Sequence, residues 1–425
     1  MMKRTIFIKN NWIDWLQVAV LLILSPFFLF PSMDRTWIFI VIPLFWLGRG
    51  ITKKQLFERT ILDWAILLLL IQVAITCFIV PNLAFSLSKI AGVTYGVAVF
   101  YSLVALLKSE NLLKGGVALF LGGGLAFSII GLLGMSPFKA KYLDPLISIK
   151  SKIPYVNIRL PGAEDGFHPN AVGGTLILII PLFFTSIYPY LRHRKNDPII
   201  KNRFFPIFAC FGLIVVTCIL LLTQSRGSLL GVALSSWIFL LQFFNKRTGI
   251  ISTFLFVAAV FFIIGTFYIM PVGKEKIADS TIELSSKILG RTSVWTVGIE
   301  TIRRYPLTGI GMNQIRLNPE IGYKTAHVHN HFLHTAAELG IPGLISLLVI
   351  LIGAGIMCIK IWRKTNQYWI KMTILGLAWG QVAHLIFGLA DAIPLGAKTG
   401  IFFWLSLALI AAIFNFIHSP NYSDY

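Results

Sequence analysis

FFPIFACFGLIVVTCILLLTQSRGSLLGVALSSWIFLLQFF, residues 204–244, carries no charged side chain except Arg226. A helix needs about 20 predominantly apolar residues to cross a bilayer. This stretch supplies two such lengths, 204–224 and 227–245, on either side of a short polar turn. Reading outward, further apolar runs lie near 12–31, 62–81, 88–107, 113–134, 170–190, 250–271, 339–361, 370–390 and 397–417. A shorter run near 36–48 contains a proline and spans only if its flanks tilt or snorkel. The expected fold is therefore all-α, a polytopic transmembrane helical bundle of about twelve spans, forming one integral membrane domain over 1–425. Whole-chain composition agrees, with 56% hydrophobic and only 13% charged residues where soluble domains carry about 25% charged. That excludes a soluble enzyme, a disordered chain, a coiled coil and, with Cys at 4 of 425 positions, a disulfide scaffold.

The formal net charge of +20 has a topological explanation. Cytoplasmic loops collect Lys and Arg, and alternate short connections do so here. Lys3, Arg4 and Lys9 open the chain; Arg49, Lys53, Lys54 and Arg59 follow, then Lys108 and Lys114, the 192–203 group, Lys246 and Arg247, and Lys360 to Lys371. The connection 81–87 has no charge. Both termini are expected in the cytoplasm, and the first apolar run, lacking a small-residue cleavage site, is expected to stay uncleaved. No nucleic-acid partner is expected. Cys77, Cys210, Cys218 and Cys358 lie inside apolar runs and read as small buried hydrophobes.

Two connections are long, 135–169 and 272–338, and both fall on the periplasmic side of this topology. Long loops are exempt from the charge rule and are usually functional. The second, a large and partly helical loop, contains an amphipathic stretch from Glu283 to Tyr305. Its Ile288, Val294, Trp295, Ile299 and Ile302 suit an interfacial helix.

The unusual polar residues gather on that same face. IRLPGAEDGFHPNAVGG (158–174) offers Arg159, His168 and Asn170, with Asn170 read as a helix cap. Ser225-Arg226-Gly227-Ser228 opens a helix whose N–H groups favour an anion, and Arg adds a planar fork matched to phosphate. GRTSVW (290–295) contributes Arg291. His327, His329, His331 and His334 stand in AHVHNHFLHTAAELGIPGL (326–344), where Asn330 is a good helix cap. Three readings of this histidine run stay open: a metal site, a solvated loop entering a helix, or a general base. Lys89, His384 and Asp391 lie at the outer ends of spans, and no chain of buried charges crosses the middle as a proton-coupled carrier would need.

The order SRG (225–227), GRTSVW (290–295), GIGMNQ (309–314) and HNHFLHTAAELGIPGL (329–344), with HPNAVGG (168–174) ahead of a span, resembles the O-antigen ligase and polymerase superfamily of bacterial envelopes. The resemblance covers mainly 155–350. It implies a membrane glycosyltransferase of the inner membrane that moves a glycan from undecaprenyl diphosphate to an acceptor hydroxyl, without a metal or other cofactor. It further implies Arg226 and Arg291 at the carrier diphosphate and His329 as the base that activates the acceptor, within the 272–338 loop. Arg159, His168, Asn170, His327 and His331 are further candidates. The implied partners are the carrier-linked glycan donor, a lipid A core or glycan acceptor, and membrane lipids. A polymerase using the same donor is the nearest alternative. A transporter is a more distant one, because carriers often show inverted repeats around a midplane site.

Overall fold

The computed structural model describes residues 2–135, 144–156, 166–192, 204–241, 247–253, 293–317, 327–420 and 422. Among these the chain is helical, with no strand beyond one isolated bridge between Met135 and Phe167. Among the described residues, seven helices are long and apolar enough to cross a membrane. The first apolar run is divided into α1 (Met2–Ile23) and α2 (Ser25–Leu29), where Pro26 enters at the new helix start. The short run near 36–48 becomes a 3-10 stretch, Met33–Ile40, followed by α3 (Val41–Lys53). After α4 (Asp63–Ile79), α5 (Leu83–Leu106) begins at an Asn82 cap and α6 (Glu110–Gly134) at a Ser109 cap. The short α7 (Asp144–Ser151) follows, then α8 (Pro169–Arg192), α9 (Phe204–Thr223) and α10 (Arg226–Leu240). Three more helices close the chain: α11 (His331–Lys364), α12 (Tyr368–Ala390) and α13 (Ile401–Ile417). Of the run 250–271, only its first residues are described.

Small residues set the centre of the bundle. Gly376 and Gly380 on α12 let its backbone meet Leu182 and Leu178 of α8 so closely that an added Cβ would sit 2.7 and 2.6 Å from backbone atoms there. Gly231 of α10 faces the Ala383 carbonyl in the same way, at 2.8 Å. Close backbone approach through small residues is how helices associate where lipid removes the hydrophobic drive. Helix α12 is thereby clasped between α8 and α10. Because α8 and α10 begin where α12 ends, Asn170, Arg226 and Asp391 come to one end of the bundle.

The opposite end is where basic residues find acids. Asp14 pairs with Arg49 and Lys53, and Glu58 pairs with Arg49 and Lys108. The residues expected to mark the cytoplasmic connections thus share an ion-pair network at the end away from the histidines.

Both long connections are tied to the histidine end where they are described. Phe167 N donates to the Gly134 carbonyl at 2.7 Å and Val156 N to the Leu133 carbonyl at 2.9 Å. In the second connection a helix covers 293–304. Val294, Trp295, Val297 and Ile302 pack onto Ile315, Val328 and Ala337, whereas Ile299 stands exposed. The apolar face is thus rotated from the expected one, because it closes over Ile315, Val328 and Ala337. Ile288 lies outside the described residues.

Helix α11 is longer than the apolar run 339–361 because HTAAEL joins it as a polar first stretch. The join is not helical: Gly340 has φ 70°. The carbonyls freed by this break are taken up by the 306–311 segment. Ile310 N donates to the Ala337 carbonyl at 2.9 Å, Gly311 N to that of Glu338 at 3.0 Å, and Ile341 N donates to the Pro306 carbonyl at 2.7 Å. Pro342 falls in the first turn after the break, where its missing N–H costs nothing. A Cβ on Gly340 would lie 2.6 Å from Leu307 backbone atoms. Gly340→Ala therefore adds left-handed strain, about 1–3 kcal/mol, to that clash. The expected result is a markedly lower melting temperature in detergent, and an unchanged one would discount the role given to this junction.

Candidate active site

Asn330 caps α11, its side-chain oxygen accepting from Phe332 N and Leu333 N at 3.0 Å each. The cap fixes the residues just before it. His329 takes a left-handed conformation, φ 53°, uncommon for a residue with a side chain. Its Nδ1 lies 2.9 Å from Asp391 Oδ1, and His327 Nε2 lies 2.9 Å from the same oxygen. Backbone Ala392 N also donates to Oδ1 at 2.9 Å, and Asn170 Nδ2 donates to Oδ2 at 2.5 Å. Asp391 is buried, directly after the last turn of α12. Burial on its own would raise this carboxyl, but the hydrogen bonds and charges of His327 and His329 outweigh it and hold it well below the usual carboxylate range.

A carboxylate can only accept here, so it fixes the tautomers of both rings. His329 donates from Nδ1, leaving Nε2 as its basic nitrogen. His327 donates from Nε2. Only His329 combines that tautomer with a position at the cap. The carboxylate also stabilises an imidazolium once it forms, the logic of a base–carboxylate pair.

The start of α8 differs from the expected cap. His168 fills that role, its Nδ1 accepting from Asn170 N at 3.3 Å, which releases the Asn170 side chain to Asp391. Arg226 is exposed at the first position of α10, one residue before Gly227, which faces Phe387 and Ala390 of α12. Its helix has no side-chain cap: the hydroxyls of Ser225 and Ser228 bond each other at 2.8 Å. Arg226 thus opens an uncapped helix N-terminus, suited to an anion, beside the helix end that carries Asp391.

His331 and His334 point inward and are buried. His331 Nδ1 and both nitrogens of His334 have no hydrogen-bond partner among the described residues, although His334 Nε2 lies 3.4 Å from Glu338 Oε2. That separation is an electrostatic contact without hydrogen-bond geometry. Arg159 and Arg291 lie outside the described residues.

A metal can be weighed on the same geometry. The ligand atoms of His327, His329 and Asp391 lie within 4.8 Å of one another, and imidazole with carboxylate is a donor set that suits zinc. Asp391 supplies the carboxylate at the histidines themselves. The expectation of a metal-free site therefore rests on the family resemblance.

Together these features define an integral membrane protein with acid–base groups and an anion-favouring helix start at one end of its bundle. Residues 211–348 match the family model of the O-antigen ligase, which supports a place in the O-antigen ligase and polymerase superfamily. The matched segment holds Arg226, Arg291 and His329, while Asp391 lies beyond it. No curated protein sequence matches the chain.

Asp391 is the residue of this candidate site that the sequence did not assign to it. Its only signal was an ionisable residue at the end of an otherwise apolar run.

Proposed function

We propose that this protein is an O-antigen ligase-type glycosyltransferase. It transfers a glycan from undecaprenyl diphosphate to a sugar hydroxyl of lipid A core at the periplasmic face of the inner membrane, with both termini cytoplasmic. The observation that carries this reading is the His329–Asp391 pair at the α11 cap, at the same bundle end as the uncapped Arg226 helix start. The 272–338 connection would deliver the base, and Arg291 would join Arg226 at the donor.

The acceptor hydroxyl is a weak nucleophile. His329 Nε2 removes its proton as the oxygen bonds to the anomeric carbon from the face opposite the leaving group. The anomeric C–O bond to the carrier breaks, its electron pair leaves on the diphosphate, and configuration inverts. Charge grows on the diphosphate, and the arginines with the first N–H groups of α10 stabilise it. Asp391 does not touch substrate; it positions His329 and balances the imidazolium. No step needs a metal ion.

The test gives purified protein a carrier-linked glycan with each acceptor in turn, followed by product analysis. Glycosylated lipid A core is the expected product. A lengthened carrier-linked glycan would assign the chain to the polymerase side of the superfamily, and no transfer to either acceptor would overturn the proposal.

A further inference from the structure

Beyond the histidines, away from Arg226, lies a second cationic group that the proposed chemistry leaves unused. Lys89 is half-buried within membrane helix α5, where a charge is costly and functional by default. Its nearest acid is Glu338, whose two oxygens are engaged elsewhere. Oε1 accepts from Asn313 N at 2.7 Å, and Oε2 faces His334 Nε2 at 3.4 Å. Lys89 itself makes no hydrogen bond and no ion pair among the described residues. Arg316, within electrostatic reach of Lys89, is exposed and holds its guanidinium 5.3 Å from the Phe85 ring centroid. Glu338 and Arg316 are therefore the charged groups that act on Lys89.

The place of this pair in the fold matters. Helix α10, which carries Arg226, packs on α12 and α8, whereas α5 packs on α13, α1 and α4. The loop after Asp391 bridges to α5, with Gly396 against the backbone of Lys89. His334 links the two regions, its ring 6.2 Å from that of His327 and its Nε2 beside Glu338. The His329–Asp391 pair thus has Arg226 on one flank and Lys89 with Arg316 on the other.

We infer that Lys89 and Arg316 form an anion subsite on the acceptor side, which selects acceptors bearing a phosphate or carboxylate group near the accepting hydroxyl. The inference rests on the transfer reaction proposed above. With the donor diphosphate held on the Arg226 flank, an acceptor approaching His329 from the other side passes this pair. Arg316 offers a fork for an oxyanion, and Lys89 a compact point charge.

Binding to the purified full-length protein, then transfer, is measured with three versions of one oligosaccharide acceptor: neutral, phosphomonoester-bearing and carboxylate-bearing. Wild type binds an anionic version about 10- to 100-fold more tightly than the neutral one, and the two charged versions show which anion fits. Lys89→Met and Arg316→Gln each remove most of that preference and leave neutral-acceptor binding and donor KM unchanged. Lys89→Arg and Arg316→Lys retain it. Arg316 is exposed, so its variant reports even where Lys89→Met fails to fold. Equal binding of all three acceptors by wild type overturns the inference. So do variants that weaken every acceptor alike or that raise donor KM instead. Anion-selective binding without any transfer would overturn the proposed reaction and leave the subsite standing.

Discussion

His329→Ala lowers turnover by about 10²–10⁴ while donor affinity stays nearly unchanged, because the proposed diphosphate contacts lie on other segments. The geometry behind this is the tautomer set by Asp391, which leaves His329 Nε2 as the proposed base. Asp391→Asn is the paired check. It keeps the shape, but it places an amide among donors from His327, His329, Asn170 and Ala392. An essential orienting role predicts a lower kcat with little change in donor KM. The carboxyl sits below its unfolded value of about 3.9, so its stabilising contribution is complete above that pH and is lost only as the pH falls toward the lower folded value. It stays ionised through the neutral and mildly acidic range. His331→Ala and His334→Ala are milder in turnover and cost stability instead, since both rings are buried. A metal centre predicts a different pattern: His327, His329 and Asp391 substitutions equally severe, with chelators inhibiting wild type. Full activity of His329→Ala with chelator present would remove both readings.

Arg226→Gln is expected to lower transfer by about 10²–10³, with the protein still inserted and folded. Arg226 is exposed, so little packing is lost with its charge. What disappears is the guanidinium ahead of an uncapped helix N-terminus, beside the last turn of α12. Arg226→Lys recovers only part of the rate, because an ammonium cannot fork two phosphate oxygens. The decisive readout is donor KM and kcat measured with a soluble acceptor. Unchanged values for both would make Arg226 an ordinary interfacial arginine.

How legible the molecule was depends on the distance over which each feature is encoded. Spans and caps are local. Apolar runs and the Asn330 cap can be read directly: seven of the runs appear as membrane-length helices among the described residues, and the cap stands where expected. The break at Gly340 is less visible, since it exists only because residues 306–311 take up the freed backbone groups. The acid of the site was not legible, because Asp391 lies 62 residues from His329 and meets it only through the fold. Asn170 shows the same limit. Its sequence suggests a cap, but His168 takes that position and Asn170 turns to a carboxylate 221 residues away. Lys89 and Glu338 likewise become a charge group only through the fold.

The interruption at Gly340 also divides α11 into two stretches that answer to different surroundings. His331 to Leu339 are held by neighbouring protein, whereas Ile345, Val349, Ile352, Ile356 and Ile359 are exposed on the outside of the bundle. Because the hydrogen-bond ladder does not run unbroken between them, the outer stretch can adjust to its bilayer separately. In a membrane of different hydrophobic thickness, length can be gained or lost at the Lys364 end. Those five positions can drift among apolar residues in the same way. The spacing between the histidines and Asp391 is set above the break, and it does not follow.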